Sequence, residues 1–233
     1  MSQEVLVERL FETLVAGDRQ AARALVQEAG TTASAQTVLS DLFWPTHEMI
    51  ERLFKSDQMT AVAYQMSTRL LRMLVDQTAA HLPHPAITER TVFAACGPSQ
   101  GEELAGQMTV DLLEAHGFDV TFTGGGIPAD EILAEAQSRR PDILLLFASA
   151  AGDLPGIRRI INTLRENGAC EGTRILVGGG VFNRADGLAE EMGADLWAYS
   201  PADVVDLLIN DPVGRGEEVR EEAPARKRKS RAA

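Results

Sequence analysis

The sequence predicts an α/β protein: an N-terminal four-helix bundle followed by a flavodoxin-like, doubly wound sheet of five parallel strands in the order 2-1-3-4-5. Three observations carry this. Apolar residues recur at helical spacing, with no strand-like run, over the first 84 positions. From position 88 to 210, short apolar runs alternate with amphipathic segments. The turns that end several of those runs are rich in glycine.

The helices come first. Val5, Leu6, Leu10, Phe11 and Leu14 mark one helix, which Gly17-Asp18 ends. Ala21, Leu25 and Val26 mark a second, closing near Gly30. A third runs from Ala35 to Phe54 through Val38, Leu39, Leu42, Met49, Ile50 and Leu53. Pro45 lies inside it and is expected to kink or split it, because proline lacks an N–H and crowds the preceding turn. A fourth runs from Met59 to His81, with Val62, Met66, Leu70, Leu71, Leu74 and Val75 on one face. The segment His81-Leu82-Pro83-His84-Pro85 cannot continue a helix and reads as a linker.

Five β–α units follow. The strands are placed at 91–96, 118–123, 142–147, 174–177 and 196–199. The third, Asp142-Ile143-Leu144-Leu145-Leu146-Phe147, is apolar on both faces, as a central parallel strand is. The helices between and after them are placed at 101–116, 129–138, 154–167, 185–192 and 202–209. The expected domains are therefore a helical cap at 1–84, an α/β domain at 88–210 and a charged, disordered tail at 211–233.

Composition narrows the function. The net charge of −12 argues against a broad nucleic-acid-binding face, so only the basic stretch 226–231 is a candidate for touching nucleic acid. No run of about 18 apolar residues suggests a membrane span. The N-terminus is acidic and has no signal-peptide core, so the expectation is a cytoplasmic protein. Cys96 and Cys170 lie outside any CxxC pattern and read as reduced thiols near strands. The four histidines show no metal-ligand spacing, so no metal site and no catalytic residue is expected.

In such sheets a ligand sits beyond the carboxyl ends of the strands. That rule selects Gly97–Glu103, Gly124-Gly125-Gly126, Ala148–Asp153, Gly178–Phe182 and Ser200-Pro201-Ala202. No dinucleotide fingerprint, P-loop or nucleophile elbow is present. A phosphoryl receiver is excluded by residue type, because the first strand ends in Cys96-Gly97 and the third in Phe147-Ala148.

Several segments together, Gly117-Phe118-Asp119-Val120, Ile127-Pro128-Ala129-Asp130-Glu131, Pro141-Asp142-Ile143-Leu144 and Val177-Gly178-Gly179-Gly180, carry a resemblance. The chain resembles the cobalamin-binding module with a four-helix cap found in methionine synthase, corrinoid methyl carriers and B12 photoreceptor regulators. The resemblance covers about residues 1–210. It implies that Ser149 and Gly178, Gly179 and Gly180 line a channel for the nucleotide tail of the cofactor. It also implies a D-x-H-x-x-G motif whose histidine binds cobalt. Here Gln100, Glu102 and Ala105 take those three positions. Phe54 stands where a tryptophan covers the corrin, and Tyr64-Gln65 where a Glu-His pair follows. Carboxylate is a poor substitute for imidazole on this metal.

The reading that follows is a regulatory or sensory module. It binds cobalamin, or another tetrapyrrole such as a haem or bilin, without a protein histidine, and signals through a partner regulatory protein. The alternatives are a corrinoid methyl carrier serving a methyltransferase and a ligand-free interaction scaffold. Methyl transfer depends on a tuned lower ligand and its carboxylate partner, and both are replaced. The residues expected at the ligand are Phe54, Tyr64, Ser99, Gln100, Glu102, Ser149, Gly178, Gly179, Gly180, Phe182 and Tyr199. For Glu102 and Glu103 a second reading is helix-dipole stabilisation at the start of a helix.

Overall fold

The computed structural model describes residues 2–168 and 170–210. The expected tail at 211–233, with its basic stretch, lies outside the described residues.

The N-terminal region holds α1 (Gln3–Ala16), α2 (Arg19–Gly30), α3 (Ala35–Thr37), α4 (Trp44–Lys55) and α5 (Ala61–Ala79). Gly17 caps α1 in the left-handed conformation, and the Asp18 carboxylate caps α2 by accepting from the Gln20 and Ala21 amides. A π-helical stretch, Val38–Phe43, joins α3 to α4 without a break. Pro45 comes one residue after that stretch, in the first turn of α4, and the helix runs on through it. The wider π turn supplies the local adjustment that the missing N–H demands.

The α/β region contains β1 (Thr91–Cys96), α6 (Gln100–Glu114), β2 (Asp119–Gly125), α7 (Ala129–Arg139) and β3 (Ile143–Phe147). It continues with α8 (Leu154–Asn167), β4 (Arg174–Gly178), α9 (Gly180–Arg184), α10 (Leu188–Met192), β5 (Leu196–Ala198) and α11 (Pro201–Asn210). All strand pairs are parallel and the order is β2-β1-β3-β4-β5, as the sequence predicts. Of the helix expected at 185–192 only Leu188–Met192 is helical, starting after Gly187, which stands at φ 79°; the short α9 before it at Gly180–Arg184 is not expected from the sequence.

Alternation along the strands splits the core in two. Val92, Ala94, Cys96, Ile143, Leu145 and Phe147 face one apolar cluster. It includes Leu104 and Met108 of α6, Val204 and Leu208 of α11, and the buried faces of the N-terminal helices. Phe93, Ala95, Leu144, Leu146, Ile175 and Val177 face the other, with Ile132 of α7 and Ile160 and Leu164 of α8. The helical region therefore shares its core with one face of the sheet, and α4 and α5 pack on α6.

Candidate functional site

The loop after β1 turns into α6 through a capping box. Ser99 Oγ accepts from the Glu102 amide (3.2 Å), and Glu102 Oε2 accepts from the Ser99 amide (3.1 Å) and hydroxyl (2.6 Å). The S-x-x-E spacing that makes this box was present in the sequence. The structure adds what spacing could not. Glu102 is only 3% exposed, and its second oxygen, Oε1, accepts from the Ser149 amide in the loop after β3. One carboxylate thus ties the first loop to the third. Gly97 lies against it so closely that a side chain there would collide with the carboxylate.

The N-terminal helices press on the same loop. Tyr64, buried on α5, donates its hydroxyl to Glu51 Oε1 at 2.7 Å, and Phe54 stacks on its ring at 3.9 Å and 12°. This pair sits over Gly101, where any side chain would meet Glu51 and the Tyr64 hydroxyl. Burial, and then the bond to Glu51, pushes the Tyr64 hydroxyl well above the ordinary phenol range. Arg72 of α5 pairs with Glu103 at 3.0 Å and donates to the Gln100 carbonyl at 3.4 Å.

Ser149 and the glycines after β4 form the opposite wall. Gly178 ends β4, and Gly179, at φ 102°, turns the chain where a side chain would collide with the Ala148 carbonyl. Between these and α6 runs a channel bordered by Glu102, Thr109, Phe147, Ser149, Gly178 and Val204. Its free volume is about 20 Å³, room for one water. Outside the channel the surface opens into a cleft of about 630 Å³ between α4 and the loops after β3 and β4. Trp44, His47, Arg52, Lys55, Asn183 and Arg184 border it. His47 is buried, which lowers its pKa to about 4 and keeps the ring neutral near pH 7. Arg184 donates to the Ser149 carbonyl at 2.8 Å.

The nominated residues therefore fall in different places. Ser149, Gly179 and Gly180 line the cleft, and Glu102 and Gly178 border the channel beside it. Ser99 and Gln100 start α6, Gln100 being exposed. Phe54 and Tyr64 form the stacked pair over Gly101. Tyr199 is half exposed at the channel mouth, edge-on to Trp197. Phe182 is buried in the cluster on the other face of the sheet and borders neither space. Arg52, Lys55, Asn183 and Arg184 also border the cleft, and no sequence signal points to them. Nothing in their spacing separates a cleft wall from a solvated helix face.

Residues 90–206 match the family model described as the B12 binding domain, and residues 6–78 match a second model with the same description. Dimethylamine corrinoid protein 1 of Methanosarcina acetivorans is 21% identical over 207 residues, covering 88% of this chain and 96% of the relative. Monomethylamine corrinoid protein 1 of Methanosarcina mazei is 21% identical over 217 residues, covering 90% and 99%. Among solved structures, the Methanosarcina barkeri monomethylamine corrinoid protein superposes with a TM-score of 0.78 at 15% identity, over 89% of this chain and 99% of that one.

Proposed function

We propose that this chain, which belongs to the B12-binding domain family, is a non-catalytic corrinoid carrier. It holds the cofactor in the cleft between α4 and the loops after β3 and β4 and delivers it to a partner protein, a methyltransferase being the partner class that suits a carrier. The relatives that span nearly the whole chain bear the names of methylamine corrinoid proteins, which favours a carrier over the sensory module that the sequence suggests. The helical cap at 1–84 and the α/β domain at 88–210 form the two walls in this reading.

The residues present do not fit a cobalt held from below by histidine. Glu102, at that position, spends both oxygens on Ser99 and Ser149. Nor does a channel of about 20 Å³ admit a nucleotide tail. The proposal therefore stops at binding and delivery. The cleft of about 630 Å³ is open to solvent, so a ligand as large as a cobalamin would be only partly enclosed by it. Its Trp44 and neutral His47 offer flat faces, and its glycines admit close approach of the ligand. The observation that carries the reading is this open cleft, formed by the cap and the carboxyl edge of the sheet together, in a chain whose family is B12-binding.

The test is desalting of the full chain after incubation with hydroxocobalamin, and separately with haem. The expected result is retained cobalamin whose spectrum matches the free cofactor with its own base on cobalt. Passage of cobalamin through the column unretained overturns the proposal, as does retention of haem alone. A light-dependent change of assembly state would restore the sensory reading.

A further inference from the structure

On the other face of the sheet the same carboxyl edge is open. A cavity of about 350 Å³ lies between α7 and α8. It sits at the gap between β1 and β3, where the strand order reverses direction. Ile127, Ile132, Leu146, Ile157 and Ile160 make an apolar wall, and the Cys96 end of β1 closes it. Two glycines leave the space free. Nothing lies within 4 Å of a Cβ placed on Gly152, and one on Gly156 would meet only the Ala129 methyl at 3.8 Å. The mouth is accessible, with Ile127 36% exposed and Pro98 and Gly126 exposed beside it.

The charged side chain in the lining of this chamber is Asp153, which accepts from the Ala150 amide at 3.3 Å and whose carboxyl is held above its usual range by burial and then by the Glu102 charge. Asp153 stands at its edge, with Glu102 and Glu103 behind it on α6. Cys96 borders the chamber at the end of β1, while its side chain belongs to the cluster on the α6 face. Burial comes first among the causes that push its thiol up to about 12, followed by Glu103, Glu102 and Asp153, with Arg72 acting the other way. The thiol is therefore neutral and does not act as a nucleophile near pH 7. An apolar wall attracts hydrocarbon, a carboxylate at its edge disfavours anions, and a cation entering a partly buried site needs an acceptor. Asp153 supplies one.

We infer that this cavity is a second ligand site, for a small apolar amine of one or two rings or the equivalent chain length, its ammonium group at Asp153. The volume is at the lower end for small-molecule sites, roughly 300–1,000 Å³. The site is separate from the corrinoid cleft and does not depend on that assignment.

The experiment uses the full chain with ¹³C-labelled isoleucine methyls and no cobalamin. Tryptamine is the probe, and indole-3-propionate is its anionic counterpart. Tryptamine is expected to shift the methyls of Ile127, Ile132, Ile157 and Ile160 saturably, and the anion to bind at least about tenfold more weakly. Asp153→Asn should narrow that ratio, and Gly156→Leu should abolish the shifts in a chain whose remaining methyl spectrum is unchanged. Gly152→Leu serves the same purpose should Gly156→Leu fail to fold. Absence of saturable shifts, equal binding of the anion, or binding that survives the filling variant overturns the inference. Cobalamin retention, measured separately, is unaffected by any of these results.

Discussion

The two faces of the sheet share one carboxyl edge and differ in what packing has left there. On the α6 and α11 face the space has shrunk to about 20 Å³, closed by Phe147 and by the Glu102 carboxylate bound to two loops. On the α7 and α8 face about 350 Å³ remains, edged by Gly152, with nothing against it, and Gly156, with only the Ala129 methyl near. A rule that places ligands beyond the carboxyl ends applies to both faces alike. Which face is open depends on side chains from distant segments.

The contrast can be broken by unplugging the tight side. Phe147, 7% exposed, packs near Gly106 and Gly178. Phe147→Ala should cost about 3–5 kcal/mol in urea unfolding, because the close-packed neighbours cannot collapse into the gap. A loss under 1 kcal/mol would show that this side is less rigid than it looks. Next comes Glu102→Ala, which strands the Ser149 and Ser99 amides. It should cost about 2–3 kcal/mol, the worth of hydrogen bonds to a charged group. Glu102→His tests the same point by difference: gain of cobalamin retention would mean that the carboxylate alone excluded a cobalt ligand from this position.

A smaller effect depends on pH. Asp111 of α6 has its pKa raised to about 7 by burial, and then by the charges of Glu114 and Asp76; its Oδ2 has no hydrogen-bond partner among the described residues. The folded state holds this proton more tightly than the unfolded chain, whose Asp titrates near about 4. The contribution of Asp111 is therefore most favourable below pH 4 and is lost as pH rises to about 7. Asp111→Asn should flatten that part of the stability profile and stabilise the protein at pH 8 by about 1–2 kcal/mol. A profile unchanged between pH 4 and 8 would contradict the assignment.

The smallest change belongs to the open side. Gly156→Ala adds a methyl group where there is room and stiffens a helix. It should stabilise by up to about 1 kcal/mol in thermal unfolding. A loss instead would mean that the α7–α8 side is as tightly filled as its counterpart.

Much of this was legible beforehand. Periodicity placed the helices, and the two-sided apolar run Ile143–Phe147 identified the central strand, because a strand covered on both faces has no polar side to show. Even the strand order followed from serial β–α units. One local difference has a local cause: the helix expected at 185–192 begins only at Leu188, because Gly187 before it holds the left-handed conformation. The candidate site was less legible. The sequence points to Ser149 and Glu102 as ligand contacts. That they bind each other could not be read, since 47 positions separate them. Arg184 and Arg52, which border the cleft, had no pattern to distinguish them.

The sequence by itself determined the fold and the family. These are properties of short-range pattern: apolar period, glycine at turns, residue type at a motif position. Only the tertiary structure decided what the Glu102 carboxylate does. Glu102 closes a channel because β1 and β3 are neighbours in the sheet, which brings the Ser149 amide within its reach. Whether a loop end is a site or a plug is set by packing between segments far apart in the chain, and no local spacing encodes it.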